Sequence, residues 1–314
     1  MPLLTSALQA MKTRGPAVTV RAGLNLAIAT FRRRVLRQRF FERPVHNYRM
    51  MLDLDDRGIS RTLLLFGSRE MEHKVMLERV LKPGMTVLDI GANIGYYALM
   101  ELRLIGAGGR LVAVEPSPAN VALLRRNLAL NGYDNVEVRQ AAVSDVPGKR
   151  RFFLSHMSNL NTFHAEGTGL AHLSGETIEV ETVTVPALMA GRPPDLIRMD
   201  VEGHEVEIIS GLIPAVERNE MAPMILFETH LSRYGRDHDM ERPLRRLFGL
   251  GYRVRLAASS SQRGTGVVAA RGYKGSAPIE TDDETRVIFD DIAANDAIEL
   301  ICRVGGLRTV LLSR

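Results

Sequence analysis

The chain has 314 residues, 45% of them hydrophobic and 25% charged, with a net charge of +5. That length holds one large α/β domain with additions or two small ones, and the composition excludes a fibrous or disordered chain. A single cysteine, Cys302, excludes an intrachain disulfide and a cysteine-ligated zinc site, and no apolar run reaches the roughly 18 residues of a membrane span.

The charge is uneven. The first 41 residues carry Lys12, Arg14, Arg21, Arg32, Arg33, Arg34, Arg37 and Arg39 and no acidic residue, which leaves the remainder slightly acidic. Leu24, Ile28, Phe31 and Val35 recur at helical spacing and predict one face of a basic amphipathic helix. Residues 1–48 read as a separate N-terminal segment. The favoured role is a support packed on the catalytic domain, with solvated arginines. Contact with an anionic membrane surface, or a transit peptide, are the other readings. Nucleic acid is not an expected partner, because the basic cluster lacks interleaved aromatics.

A β-rich lead-in follows. Met50, Leu52 and Leu54 alternate with other residues, Asp56-Arg57-Gly58 reads as a turn, and Leu63 to Phe66 as the returning strand. Glu70 to Leu81 has helical spacing and Pro83-Gly84 ends it.

Thr86 to Tyr97, T-V-L-D-I-G-A-N-I-G-Y-Y, is the stretch around which the chain is organised. Val87, Leu88 and Ile90 predict a strand buried on both faces, and Gly91 and Gly95 a tight turn into a helix. A dinucleotide fingerprint would be G-x-G-x-x-G over a pyrophosphate. Here the pattern is D-x-G-x-x-x-G, with Asn93 in place of the second glycine. Asp89 is a poor neighbour for a pyrophosphate and a good one for a sulfonium cofactor with an ammonium group. S-adenosylmethionine therefore fits better than NAD.

From there strands and helices alternate regularly, which predicts a doubly wound parallel sheet. Arg110 to Val114 ends in Glu115, 24 positions after Gly91 and placed to accept a ribose. Ser117-Pro118 opens the next helix. Residues 141–194 break the alternation and read as an inserted flap, whose Ser, Asn and His residues are taken as solvated. Leu196 to Met199 is a strand ending in Asp200, followed closely by Glu202, His204 and Glu205. A further strand ends in Glu228, near His230. Asp200, His204 and Glu228 are the candidate catalytic residues, with Asp200 or His204 as the base. No metal is expected there, since a hard cation needs a fuller set of oxygens. Residues 257–290 read as a lid or a disordered stretch, Asp290 to Val304 as a helix, and Leu307 to Leu312 as the final strand.

The motifs V-L-D-I-G-A-N-I-G-Y-Y, V-E-P-S and M-D-V-E-G-H-E resemble those of the FkbM family of S-adenosylmethionine-dependent methyltransferases. The resemblance covers roughly residues 50–254. It implies a class I methyltransferase fold over residues 49–314, seven-stranded with the last strand antiparallel, and O-methylation of a hydroxyl on a sugar, polyketide, lipid or other small metabolite. It places Asp89, Gly91, Asn93 and Gly95 around the methionine part of the cofactor, Glu115 and Ser117 at the ribose, and Ala141 and Ala142 against the adenine. Asp145 or backbone is left to meet the adenine amine. A cytoplasmic location is expected. An NAD-dependent oxidoreductase and a non-catalytic cofactor- or partner-binding member are the alternatives.

Overall fold

The computed structural model describes residues 14–133, 136–165 and 170–314. In chain order, helix α1 (Pro16–Arg34) leads into a hairpin of β1 (Phe40–Val45) and β2 (Tyr48–Asp53). Helices α2 (Ile59–Phe66) and α3 (Met71–Val80) precede β3 (Thr86–Ile90), α4 (Tyr96–Ile105), β4 (Arg110–Val114), α5 (Pro118–Leu130) and β5 (Glu137–Arg139). The insertion forms β6 (Ala142–Val143), β7 (Gly148–Ser155), β8 (Leu173–Val183) and the short α6 (Val185–Leu188). Then come β9 (Leu196–Met199), α7 (Glu205–Glu217), β10 (Met224–Glu228), α8 (Glu241–Gly249) and β11 (Arg253–Ser259). The chain closes with α9 (Gln262–Ala269), β12 (Ile279–Thr281), β13 (Glu284–Arg286), β14 (Ile288–Ile292), α10 (Ala294–Cys302) and β15 (Leu307–Ser313).

The main sheet has the order β14-β11-β15-β10-β9-β3-β4-β5. The run β10-β9-β3-β4-β5 is parallel, and β15 inserts antiparallel between β10 and β11. Seven of these strands make the expected class I methyltransferase sheet. The sheet is eight-stranded rather than seven-stranded, because β14 adds an antiparallel edge beside β11. All five residues of β3 and all four of β9 are buried, as helices cover both faces. Two apolar cores result, one on each side of the sheet. The all-parallel order of a dinucleotide-binding sheet is absent, which counts against the oxidoreductase reading.

Three local expectations are corrected. Leu63 to Phe66 is the end of α2, not a strand. The Asp56 carboxylate accepts the N–H groups of Gly58 and Ser60, which starts a helix, and Gly67 stops it in the left-handed region. The hairpin partner of Tyr48–Asp53 is instead Phe40–Val45. Residues 257–290, read as a lid or a disordered stretch, form regular structure. They supply the end of β11, α9, the β12-β13 hairpin and the start of β14, and none of them lines the cleft described below. Asp290 accordingly lies in a strand, and the last helix begins only at Ala294.

Helix α1 packs on α2 through its small residues. Ala22 is buried and Asn25 Nδ2 donates to the Leu65 carbonyl at 3.0 Å. The expected apolar face points the other way: Leu24 is 61% exposed and Phe31 54%. No helix among the described residues is long and apolar enough to cross a membrane.

Candidate active site

The parallel strands end together on one side of the sheet, and their ends frame a cleft. Gly91 has φ +77°, and a Cβ there would run into the carbonyl oxygen of Asp200. The two strand ends therefore meet only because residue 91 is glycine. Gly95 turns the chain into α4 at φ +91°, and a Cβ there would sit 2.8 Å from Leu124 Cδ1. Gly95 thus serves helix packing and is not on the cleft wall.

Glu115 stands at the end of β4, almost fully buried. Its carboxylate accepts the N–H groups of Asn93 and Ser117, both at 3.0 Å, and Asn120 Nδ2 at 3.2 Å. Burial pushes its pKa up to about 7, against those hydrogen bonds. Ser117 itself does not line the cleft. It caps α5, accepting the Asn120 N–H, and its own N–H holds Glu115. Ala141, Ala142, Val143 and Phe152 make an apolar wall beyond Glu115. Asp145 is not on that wall.

The insertion forms a three-stranded sheet, β6-β8-β7, beside the cleft. Phe152, Asn159, Asn161 and Phe163 from it line the opening. Asn93 Nδ2 and Asn120 Nδ2 both donate to the Ser158 carbonyl at 3.1 Å, so the loop after β7 is fastened to the turn after β3.

Asp89 differs from expectation. It is fully buried within β3 and does not reach the cleft; its Oδ1 accepts from Arg198 Nη1 at 3.1 Å. A strand buried on both faces directs the side chain into the protein, where only a paired charge is tolerated. Arg198 also donates to the Gly91 carbonyl at 3.3 Å and reaches Asp200 Oδ2 at 3.5 Å. A charge inside the otherwise apolar L-I-R-M was the available signal for this residue, and the sequence reading passed over it.

Asp200 lines the cleft, and its Oδ1 has no hydrogen-bond partner among the described residues. His230 Nε2 stands 4.0 Å from that oxygen and 3.7 Å from Glu202 Oε2, while its Nδ1 lies 2.8 Å from Glu205 Oε1. Burial pulls the His230 pKa down, but Glu205, Glu228 and Glu202 together hold it well above its ordinary value. Burial also pushes Glu202 up to about 7. Glu228 is set behind the cleft, not in it. It pairs with Arg308 Nη1 at 2.9 Å, and burial raises it to about 8. A second buried network, Arg69-Glu70-Arg308 with Tyr97 on Glu70, backs the same wall. No local motif announces it.

His204 lines the cleft too, but both ring nitrogens are engaged, Nε2 with Ser144 Oγ at 3.0 Å and Nδ1 beside Glu207 and His164. Burial lowers its pKa to about 4. Asp200 Oδ1, by contrast, is buried and accepts no hydrogen bond among the described residues.

The methyltransferase FkbM domain matches residues 89–254, just over half of the chain and all of the strand ends just described. The chain belongs to the FkbM methyltransferase family. Its cofactor is S-adenosylmethionine. The cleft fits that group. A carboxylate held by two backbone N–H groups suits a ribose, an apolar wall suits an adenine, and a glycine-floored turn suits close approach of the amino-acid part.

A protein-L-isoaspartate O-methyltransferase domain also matches residues 28–145, which end before the Asp200 wall. Among curated relatives, the 31-O-demethyl-FK506 methyltransferase FkbM of Streptomyces tacrolimicus is 31% identical over 160 residues, 42% of this chain and 61% of that one. A protein-L-isoaspartate O-methyltransferase of Methanococcoides burtonii is 46% identical over 55 residues, 18% of this chain and 27% of its own length. The FkbM-family chain thus spans at most about three-fifths of these relatives. Among solved structures, an FkbM methyltransferase of Methylobacillus flagellatus KT is 14% identical, covering 73% of this chain and 54% of its own, at a TM-score of 0.35. A precorrin-6y C5,15-methyltransferase of Geobacter metallireducens GS-15 is 14% identical, covering 78% and 90%, at 0.40.

Proposed function

We propose that this protein transfers a methyl group from S-adenosylmethionine to a hydroxyl oxygen of a small metabolite, of the sugar, polyketide or lipid class. The observation that carries the reading is the Asp200 carboxylate at the end of β9, which lines the cleft. When bound, the cofactor supplies an electrophilic methyl group. The chain's work is to orient a hydroxyl and take its proton. The Asp200 carboxylate takes that proton as the new O–C bond forms and the S–CH3 bond to the cofactor breaks, and Arg198 and His230 hold the carboxylate in place. A carboxylate acceptor needs no base, so a carboxylate placed to take a proton is of use only to a hydroxyl. This favours a hydroxyl over an isoaspartyl carboxylate. The relative from Streptomyces is named for an O-demethyl acceptor, in keeping with the same chemistry.

The test is release of S-adenosylhomocysteine by the purified protein across a panel of hydroxylated sugars, macrolides and lipids, with carboxylates and amines as controls. Turnover confined to the carboxylates or amines overturns the reading.

Glu115 is proposed as the ribose acceptor. Glu115→Gln then lowers S-adenosylmethionine affinity by about 10-fold or more, the worth of roughly 1.5–3 kcal/mol for charged hydrogen bonds. Since the ionised carboxylate is the better acceptor and titrates at about 7, parent affinity strengthens as pH rises through 7, and the variant loses that dependence. Calorimetry from pH 6 to 8 reads both effects; a parent with flat affinity removes Glu115 from the ribose.

The outward stripe of α1 is proposed to lie on an anionic lipid surface. Leu24, Ile28, Phe31 and Val35 are exposed, and Arg21, Arg34 and Arg37 stand on the same segment. Sedimentation with phosphatidylglycerol vesicles is expected at low salt and is lost in Leu24→Asp/Phe31→Asp. Equal binding to neutral vesicles, or none to either, rejects it.

A further inference from the structure

Beside the cleft, one cluster is not used by the chemistry above. His204 at the start of α7, Glu207 in its first turn and His164 from the loop after β7 turn polar atoms toward one point. His204 Nδ1 lies 3.4 Å from His164 Nε2 and 3.2 Å from Glu207 Oε2, and His164 Nε2 lies 4.0 Å from Glu207 Oε1. Zinc bonds of about 2.0–2.2 Å to nitrogen and oxygen, at tetrahedral angles, put neighbouring ligand atoms about 3.3–3.6 Å apart. The two spacings from His204 Nδ1 lie close to that edge, and the third, to the other Glu207 oxygen, is longer.

Hydrogen bonding decides which nitrogen faces inward. Ser144 Oγ donates to Asp145 Oδ1 at 2.9 Å, so its oxygen accepts from His204 Nε2 at 3.0 Å. His204 Nδ1 therefore carries a lone pair, and it faces a carboxylate oxygen at 3.2 Å. Two acceptors this close are satisfied by a cation between them, a metal ion or a proton on Nδ1. A His164 N–H aimed at Nδ1 would satisfy the nitrogen alone, across a long 3.4 Å. His238 braces the carboxylate: its Nδ1–H donates to the Arg233 carbonyl at 2.8 Å, and its Nε2 lies 3.1 Å from Glu207 Oε2. Outer hydrogen bonds of this kind fix ligand orientation in protein metal sites.

We propose that His164, His204 and Glu207 form a divalent transition-metal site, with Zn²⁺ the ion that a mixed imidazole and carboxylate donor set favours. The ion ties the loop carrying Phe163, which lines the cleft, to the first turn of α7. It thereby fastens one wall of the active site without taking part in methyl transfer. The absence of a cysteine set leaves this kind of site open, because its donors are nitrogen and oxygen.

The experiment uses the full chain, stripped with a chelator and titrated with ZnCl₂ by calorimetry, then with Co²⁺ as a spectroscopic probe. One equivalent of Zn²⁺ is expected, along with the intense visible bands of four-coordinate Co²⁺. His164→Ala and Glu207→Gln weaken Zn²⁺ binding at least about 10-fold, and His238→Ala by about 10-fold through the lost brace. Glu207→Gln keeps its volume, and melting curves of metal-free parent and variant identify any variant that fails to fold. Should the variants fail to fold, the cobalt spectrum of the parent decides. Parent uptake far below one equivalent, absent cobalt bands, or unchanged affinity in folded His164→Ala and Glu207→Gln overturns the site.

Discussion

Asp200→Asn is expected to lower turnover by about 10²–10⁴-fold, the usual worth of a positioned base, while S-adenosylmethionine affinity changes by less than about 3-fold. The asymmetry follows from geometry. The contacts assigned to the cofactor come from the turn after β3, the end of β4 and the apolar wall, and none of them is the Asp200 side chain at the end of β9. Asparagine keeps the shape and can still receive a hydrogen bond from Arg198, but it cannot take a proton. Turnover is measured by S-adenosylhomocysteine release with a saturating acceptor and affinity by calorimetry. A variant with full turnover removes Asp200 from the mechanism, and one that loses cofactor affinity alone makes it a binding residue.

Arg198→Met is expected to cost about 3–5 kcal/mol of stability, because removing one partner strands a buried charge. For a chain of this size that is a fall in melting temperature of about 6–15 °C. Arg198 is 2% exposed, pairs with Asp89 and Asp200, donates to the Gly91 carbonyl and lies 4.1 Å from the centre of the Tyr97 ring. Glu101 is buried in the same region, and burial, then Asp89, hold its pKa well above the ordinary value, so it brings no compensating charge problem of its own. Burial raises the Asp89 pKa even with the guanidinium present. Without it, Asp89 takes a proton more readily, so the loss is largest at high pH and shrinks as pH falls. Thermal melts at pH 6 and pH 9 check the direction; a loss that grows toward acid rejects this account. The same substitution also loosens Asp200, so turnover falls in the protein that remains folded.

The order of strands and helices from Thr86 to Leu130 was legible because each element there carries its own signal. Apolar runs mark strands buried on both faces, glycines mark the turns, and Ser117-Pro118 marks a helix start. The edge strand Ile288–Ile292 was not legible: I-F-D-D-I is short, and its place is set by pairing with a strand some thirty residues earlier. The exposed stripe of α1 shows the same limit. Periodicity located the face, and the packing of Ala22 and Asn25 on α2 turned it outward.

For the site, the chain by itself determined the cofactor class, the glycine that lets β3 and β9 meet, and the carboxylates at the ends of β4, β9 and β10. Those are local matters of residue type and spacing. Only the tertiary structure decided which carboxylate faces the cleft. Asp89 and Glu228 carry the same chemistry as Asp200, yet Arg198 and Arg308 hold them in the interior, while Asp200 lines the cleft. Whether a charged group is a buried brace or a reactive base depends on its partners. Those partners come from segments up to 109 positions away, as Arg198 does for Asp89, which no local pattern encodes.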